Sequence, residues 1–595
     1  MTDISSAADE VQTPVGVWTG RIHHDDQPVP PFTISFEPDG TATLRTPLSV
    51  GTGAWSAGNA GRFSYEVTEI FTPAADRPGR VQTHVEAHFE GTRYRGTGTA
   101  KVFTPDGVLV RTTSAEFTGD RLTDGQAAQH DLVSLGAPIR GRMLYPGDDG
   151  FEEASSGWLL TVEHRPATVV IPADADDVAA AVRLAAQTER PVAMQSTGHG
   201  KSVSADGAVL IATGELRELS VDPHAGTARI GSGLRWGEVV TAAAEHGLAP
   251  LCGSSEQVGV MGYLSGGGLP LTSRTYGFAV DYVRSLDIVT ADGRLRTVSP
   301  AQEPDLFWAV RGGKGNFGVV VAAEIELMPL RTIYGGKLWY PFEDPRQGVH
   351  LLGSYLAWAK EQPEEMSSTV TLLRFPDVPQ LPDEFRGRSF VQFRVVYTGD
   401  EDQGARLVEP LRALGPEKDT CGALPYTEIT EIYDDPKFPV MAHLRSALLH
   451  ELDDDAVHEL IAVIDPSAPG SPPFPSLEIR HLGGALNRPP GRSHPVSTQG
   501  AAFHLWMRTQ APAELADAAR KASDEVLERL LPWDTGTMLP GFLFDHDSAP
   551  ERVRQAYTEA DYRRLVELKT DYDPNNLFRI THNIPPLSDG ARPRS

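Results

Sequence analysis

The residues best placed to do chemistry lie in three glycine-rich stretches. Gln195-Ser196-Thr197-Gly198-His199-Gly200 follows a short apolar run and sets a histidine between two glycines. Small residues at such a place let backbone N–H groups approach a diphosphate closely. Gly253-Ser254-Ser255-Glu256-Gln257-Val258-Gly259-Val260-Met261-Gly262 is the second stretch, running on to Gly266-Gly267-Gly268. Arg311-Gly312-Gly313-Lys314-Gly315-Asn316-Phe317-Gly318 is the third. It holds a literal G-x-G-x-x-G at Gly313, Gly315 and Gly318, a pattern that in a nicotinamide site must follow a strand and open a helix. Here residues 305–310 read as a helix and 319–327 as a strand. The order is reversed, and a Rossmann site is not expected.

The elements that must position these loops are of mixed type. Residues 13 to about 125 read as all-β: Phe32, Ile34 and Phe36 alternate with polar residues before a Pro38-Asp39-Gly40 turn, and Val81, Thr83, Val85, Ala87 and Phe89 repeat the pattern. Many short strands with regular turns predict a small barrel or sandwich, faintly lipocalin-like. After residue 140 the texture becomes α+β. Thr168-Val169-Val170-Ile171 reads as a buried strand, and Asp177 is expected to cap a helix over 178–188. Residues 335–540 form a second mixed unit, with a helix near 349–360 and strands near 389–397 and 502–507. A Pro-rich surface loop is expected over 465–475. His504 and Trp506 alternate on the last of those strands and are candidates either for a cavity wall or for an ordinary half-buried face. A final helix, near 562–570, stops at Tyr572-Asp573-Pro574-Asn575-Asn576.

Taken together, the loops and the tail Tyr572-Asp573-Pro574-Asn575-Asn576-Leu577-Phe578…His582-Asn583-Ile584 resemble the vanillyl-alcohol oxidase and berberine bridge enzyme family. The resemblance implies a two-part PCMH-type FAD-binding domain over 131–332, completed by 541–595. An α/β substrate domain with an antiparallel sheet would fill 333–540, preceded by the all-β domain over 1–130. It implies FAD bound through the His199 ring nitrogen. The cofactor-binding set would be Gln195, Ser196, Thr197, Gly198, His199, Gly200, Ser202, Gly253, Ser254, Ser255, Val258, Gly259, Gly262, Tyr263, Gly266, Gly318, Val320 and Asn583. Many relatives add a second, cysteinyl link. Its position is Ser255 here, so one covalent link is expected and Cys252 is read as a small core residue. Relatives often carry His where this chain has Tyr263. Tyr557, with Tyr562 as its neighbour, resembles the family's catalytic tyrosine. Such a base needs a cation or hydrogen-bond partner to lower a pKa near 10. A small Val at the position of Val258 goes with oxygen access in the family. The implied activity is an oxidase acting on an alcohol, phenol-type or natural-product substrate and releasing hydrogen peroxide, with secondary metabolism as the setting. The alternatives are a flavin dehydrogenase or a binding protein with a vestigial flavin unit.

Composition narrows the partners. The chain has 595 residues, ordinary globular content (40% hydrophobic, 22% charged) and a formal net charge of −27. Such a surface repels phosphate backbones and anionic lipid, so neither nucleic acid nor membrane is expected as a partner. A small-molecule substrate and oxygen are the expected partners, in a monomer or homodimer. Two cysteines, Cys252 and Cys421, build neither a disulfide framework nor a cysteine zinc site. His23-His24-Asp25-Asp26 lacks a partner cluster, and no metal is expected. Met1 to Glu10 carries no apolar stretch, so no signal peptide is read there and the cytoplasm is the expected location.

Overall fold

The computed structural model describes residues 13–24, 27–28, 32–46, 49–71, 78–122, 139–200, 203–379, 381–465, 475–510 and 513–587. Ser202, Asp25, Asp26, the side chains of His23 and His24, residues 1–10 and most of the Pro-rich stretch 465–475 lie outside the described residues. The chain divides into two compact units: residues 1–155, 165–192 and 205–211 form the first, and residues 156–164, 193–204 and 212–595 the second.

In the first unit, antiparallel strands from Gly16–His24 to Leu109–Arg121 pair in chain order, and the last pairs back onto the first through Trp18↔Arg121 to His23↔Glu116, closing an 8-strand barrel. The alternation seen in the sequence sends one face of every strand inward. Trp18, Phe32, Phe36, Phe63, Tyr65, Tyr94 and Phe117 meet there, all nearly inaccessible. Their rings pack largely edge to face, as in Phe36–Phe63 at 5.4 Å and 79°. The barrel has a solid aromatic core. The Asp39 carboxylate closes the first turn by accepting from Thr41 N and Oγ1 at 3.0 and 2.6 Å, with Gly40 at φ +91°.

The same unit continues into the strands Arg142–Leu144, Thr168–Ile171 and Val209–Ala212 and the helix Ala175–Gln187. Asp174, not Asp177, caps that helix. Asp177 is fully buried, and its carboxylate accepts the N–H groups of Arg140, Gly141 and Ala173, each at 2.8 Å. The helix therefore starts three residues earlier than the sequence pattern suggests, because its second acidic residue is taken by the chain that enters from residue 140.

The second unit holds two sheets. One has five strands, in the order Leu219–Asp222, Thr227–Gly231, Val319–Glu326, Val283–Val289, Leu295–Val298. It shares a core with the helices Trp236–Ala244, Val260–Ser265, Pro304–Val310 and Glu559–Tyr572. The helix Pro304–Val310 precedes the third glycine stretch and the strand Val319–Glu326 follows it, the reverse of a Rossmann turn, as the sequence indicates.

The other sheet is antiparallel. Its inner order is Thr332–Phe342, Ser389–Tyr397, Met366–Arg374, Pro475–His481, Phe503–Gln510, Ala442–Leu449. Side chains alternate between its two faces. Val391, Phe393, Val370, Leu372, Leu477, Ile479, Leu505 and Met507 point to one face and pack with the helices Pro345–Lys360, Asp454–Ile464 and Ala516–Arg529. The intervening residues include Gln392, Arg394, Thr369, Thr371, Glu478, Arg480 and His504, polar yet buried. A buried polar face requires a partner for its groups, and this face is where the site is built. Among the described residues no helix is long and apolar enough to cross a membrane.

Candidate active site

The glycine loops converge on one cavity of about 370 Å³, and every residue lining it belongs to the second unit. Gln195, Ser196, Thr197, Gly198, His199, Gly200, Gly253, Ser254, Ser255, Val258, Gly259, Gly262, Tyr263, Gly266, Gly318 and Val320 all line it. Asn583 lies beside the lining residue His582 without lining the cavity itself.

Short polar ties hold the first loop to its surroundings and to the second loop. Ser196 Oγ donates to the Ser232 carbonyl at 2.6 Å, and Gly259 N donates to Thr197 Oγ1 at 3.2 Å. A Cβ on Gly259 would meet Ser196 Oγ at 2.9 Å, so glycine permits the approach. Gly198 has φ +68°, and a Cβ there would meet Gly157 Cα at 2.8 Å. Gly200 and Gly262 differ: a Cβ on either meets no protein atom within 4 Å. Both therefore line open cradle.

The carboxamide of Asn316 organises the tail. Its Nδ2 donates to the His582 carbonyl at 3.0 Å and its Oδ1 accepts from Ile584 N at 2.8 Å. This holds Asn583 by both of its backbone neighbours. Lys569 and Asp573, wholly buried and 2.7 Å apart, fix the turn before it, where Asp573 accepts Leu577 N and Phe578 N at 2.7 and 2.9 Å.

His199 lines the cavity from the first loop. Its imidazole lies flat against the Trp158 indole, centroids 4.4 Å apart and planes 26° apart. Burial, with Arg235 nearby, lowers its pKa to about 4, so the ring is neutral at ordinary pH and keeps a nitrogen lone pair. Among the described residues its buried Nδ1 has no hydrogen-bond partner. The buried Tyr263 hydroxyl and Asn583 Oδ1 are in the same condition. Buried polar atoms without protein partners, beside cradle-lining glycines, fit a large polar cofactor.

Lys314 also lines the cavity. Burial lowers its ammonium pKa to about 8. It donates to His582 Nδ1 at 3.1 Å, while His582 Nε2 donates to the Phe544 carbonyl at 2.8 Å. On the sheet side the wall carries Leu444, Arg480, Trp506 and Arg508, with Asp435 as its acidic residue. Asp435 Oδ2 accepts from Ser254 Oγ at 2.6 Å, and Asp435 Oδ1 lies 3.8 Å from Arg508. Of the pair His504 and Trp506, only Trp506 reaches the cavity. His504 sits behind it, 4.2 Å from the Phe542 ring.

Tyr557 and Tyr562 are not brought to the cavity. The Tyr557 hydroxyl donates to the Gly312 carbonyl at 2.9 Å, and burial raises its pKa above the ordinary phenol value. A phenol so placed supports the third loop and is no proton acceptor for a ligand. Cys252 is fully buried, with its thiol pushed up to about 11. The residues that sequence reasoning missed are Asp435, Arg480, Arg508 and Trp158. The signal available for Arg480 and Arg508 was a charged residue alternating with apolar ones on each strand, as in Leu477-Glu478-Ile479-Arg480 and Met507-Arg508.

Residues 166–299 match the FAD binding domain family, and residues 541–585 match the berberine and berberine-like family. The chain is 29% identical to (R)-6-hydroxynicotine oxidase of Paenarthrobacter nicotinovorans over 75% of this chain and 97% of that protein. The crystal structure of 6-hydroxy-D-nicotine oxidase from Arthrobacter nicotinovorans superposes with a TM-score of 0.67 at 25% identity, over 76% of this chain and 99% of that one. Berberine bridge enzyme from Eschscholzia californica shares the fold, with a TM-score of 0.66 at 19% identity over 76% and 98%. With the cavity between glycine loops and antiparallel sheet, these matches define an FAD-linked oxidoreductase. The matched segments, the full-length relatives and the shared fold are similar to those of the vanillyl-alcohol oxidase and berberine bridge enzyme family of FAD-linked oxidoreductases.

Proposed function

We propose that this protein is an oxidase that carries FAD on His199 through a single covalent link, oxidises an alcohol, phenol-type or natural-product substrate and passes the electrons to oxygen, giving hydrogen peroxide. In this reading residues 131–332 and 541–595 form the FAD-binding domain, and 333–540 the substrate domain. The observation that carries it is the neutral, buried, unpartnered Nδ1 of His199 in the wall of a glycine-lined cavity.

The loops 195–200 and 253–262 would hold the diphosphate by backbone N–H groups, while Tyr263 offers its hydroxyl from the cavity wall and Asn583, beside the lining residue His582, its unpartnered Oδ1. When bound, FAD supplies a two-electron acceptor for a substrate C–H bond and a route for those electrons to oxygen. The chain's own task is to orient the substrate and accept the proton that leaves its hydroxyl. Asp435 takes that proton in place of Tyr557: it is the acidic residue of the cavity wall, oriented by Ser254 Oγ. Trp158, Trp506 and Phe542 enclose the cavity with apolar surface and exclude water. Val258 leaves little bulk at its wall, which suits access by oxygen. Ser255 cannot form a thioether, and Cys252 lies in the core, so a second link has no donor.

Denaturation in acid tests the link. Flavin fluorescence and one FAD mass should stay with the polypeptide, and His199→Ala should release the flavin. Reducing the protein with dithionite and admitting air tests the acceptor. Rapid re-oxidation with stoichiometric peroxide supports an oxidase, and slow re-oxidation indicates a dehydrogenase.

A further inference from the structure

The polar face of the antiparallel sheet carries a charge cluster that does not balance. Arg394 Nη1 donates to Glu478 Oε2 at 2.9 Å, and Arg480 Nε donates to Glu478 Oε1 at 2.5 Å. One carboxylate therefore serves two guanidiniums, and all three residues are at most 8% exposed. Arg394 Nε is further satisfied by Gln392 Oε1 at 2.6 Å. Adding the adjacent Arg508–Asp435 pair at 3.8 Å leaves three guanidiniums facing two carboxylates. In a chain of net charge −27, this wall is positive.

An uncompensated buried charge costs several kcal/mol and persists where something binds it. Two aromatic faces spread part of it: the Arg480 guanidinium lies 5.4 Å from the Tyr433 ring and 5.8 Å from the Phe542 ring. Neither supplies an acceptor in the plane of the guanidinium. Among the described residues, only Nε of Arg480 has a hydrogen-bond partner, and Arg480 lines the cavity. Its two outer nitrogens are thus a planar donor fork, aimed by Glu478 and held between rings.

We propose that Arg480, with Arg508 beside it, binds an anionic oxygen group, a carboxylate or phenolate, on an aromatic or apolar substrate. Trp506, Phe542 and Leu444 surround the fork with apolar surface that fits such a frame. This deepens the reading of the same cavity as an oxidase site and rests on it. It also separates two roles in the substrate wall: Arg480 fixes the anion, and Asp435, oriented by Ser254, takes the proton of the reacting hydroxyl.

The test uses the flavin-loaded protein, titrated with benzoate and with its neutral counterpart benzyl alcohol, and followed by the flavin's visible spectrum and by calorimetry. Benzoate should bind more tightly, weaken with added salt, and lose at least about tenfold in affinity in Arg480→Met while benzyl alcohol is unchanged. Arg480→Lys keeps a charge without the fork and should fall between. Equal binding of the two probes overturns the inference, as does undiminished benzoate affinity in both variants. If the reduced flavin is the true partner, Arg480→Met shifts the flavin's reduction potential and leaves benzoate affinity alone, which also overturns it. Protein isolated without flavin that still binds benzoate calorimetrically places the failure in the oxidase reading instead.

Discussion

The indole of Trp158 lies against the imidazole of His199, while its own backbone N–H donates to the Gly198 carbonyl at 3.0 Å. One residue thus fixes both the plane of the histidine ring and the path of the loop that carries it. Trp158→Ala should destabilise the protein by roughly 3 kcal/mol and lower the fraction of flavin retained in acid. Trp158→Phe keeps a stacking face and should retain most of both. Urea unfolding and flavin fluorescence on denaturing gels read the two effects separately.

The cradle glycines separate folding from cofactor binding. Gly198→Ala forces a side chain into a left-handed position against Gly157 and should cost about 1–2 kcal/mol of stability. Gly200→Ala and Gly262→Ala place a methyl where no protein atom lies within 4 Å. They should leave the unfolding midpoint nearly unchanged and reduce flavin content.

Tyr557→Phe distinguishes support from catalysis. Removing the hydroxyl leaves the Gly312 carbonyl without its donor and should cost about 1 kcal/mol. The rate of flavin reduction should stay within about twofold of the parent, since an effect that small at the site is well under one tenfold step. Asp435→Asn should slow flavin reduction strongly while leaving its spectrum intact.

The legible and illegible parts of this protein differ in how local their physics is. The glycine loops declare themselves because close backbone approach admits almost no other residue, and the barrel because period-two alternation and Pro-Asp-Gly turns are short-range signals. The order helix–loop–strand around Gly313 was equally plain. The substrate wall was not. His504-x-Trp506 reads equally as a cavity wall or as an ordinary half-buried face, and Glu478-x-Arg480 and Arg508 carry no local motif that singles them out. Only the pairing of strands far apart in the chain makes that face a buried one and brings Arg394 to Glu478. The surroundings of Tyr557 were hidden for a related reason. Tyr557 sits close in sequence to the tail that closes the site, and its side chain turns to the Gly312 carbonyl instead.

Lys314 provides a pH signature. Its folded pKa, about 8, lies below its ordinary value of 10.5. Between these values the unfolded chain holds a proton that the folded chain has released, so this residue makes stability rise with pH from about 8 to about 10. Below about 8 both states are protonated and the full cost of burying the ammonium is felt. In flavin-free protein, Lys314→Met should therefore gain stability over the parent at neutral pH, and the gain should shrink as pH approaches about 10. Urea midpoints of the two proteins across that range check the sign.

Because neighbouring positions on the strands of the antiparallel sheet serve opposite faces, the same six segments carry two independent alphabets. Every other letter spells the hydrophobic interior and resists change; the letters between are read by whatever small molecule enters. Exchanges at residues such as 480, 506 and 508 can therefore alter which substrate is accepted while the helices behind register nothing, so the wall can be recut without rebuilding the frame that holds it.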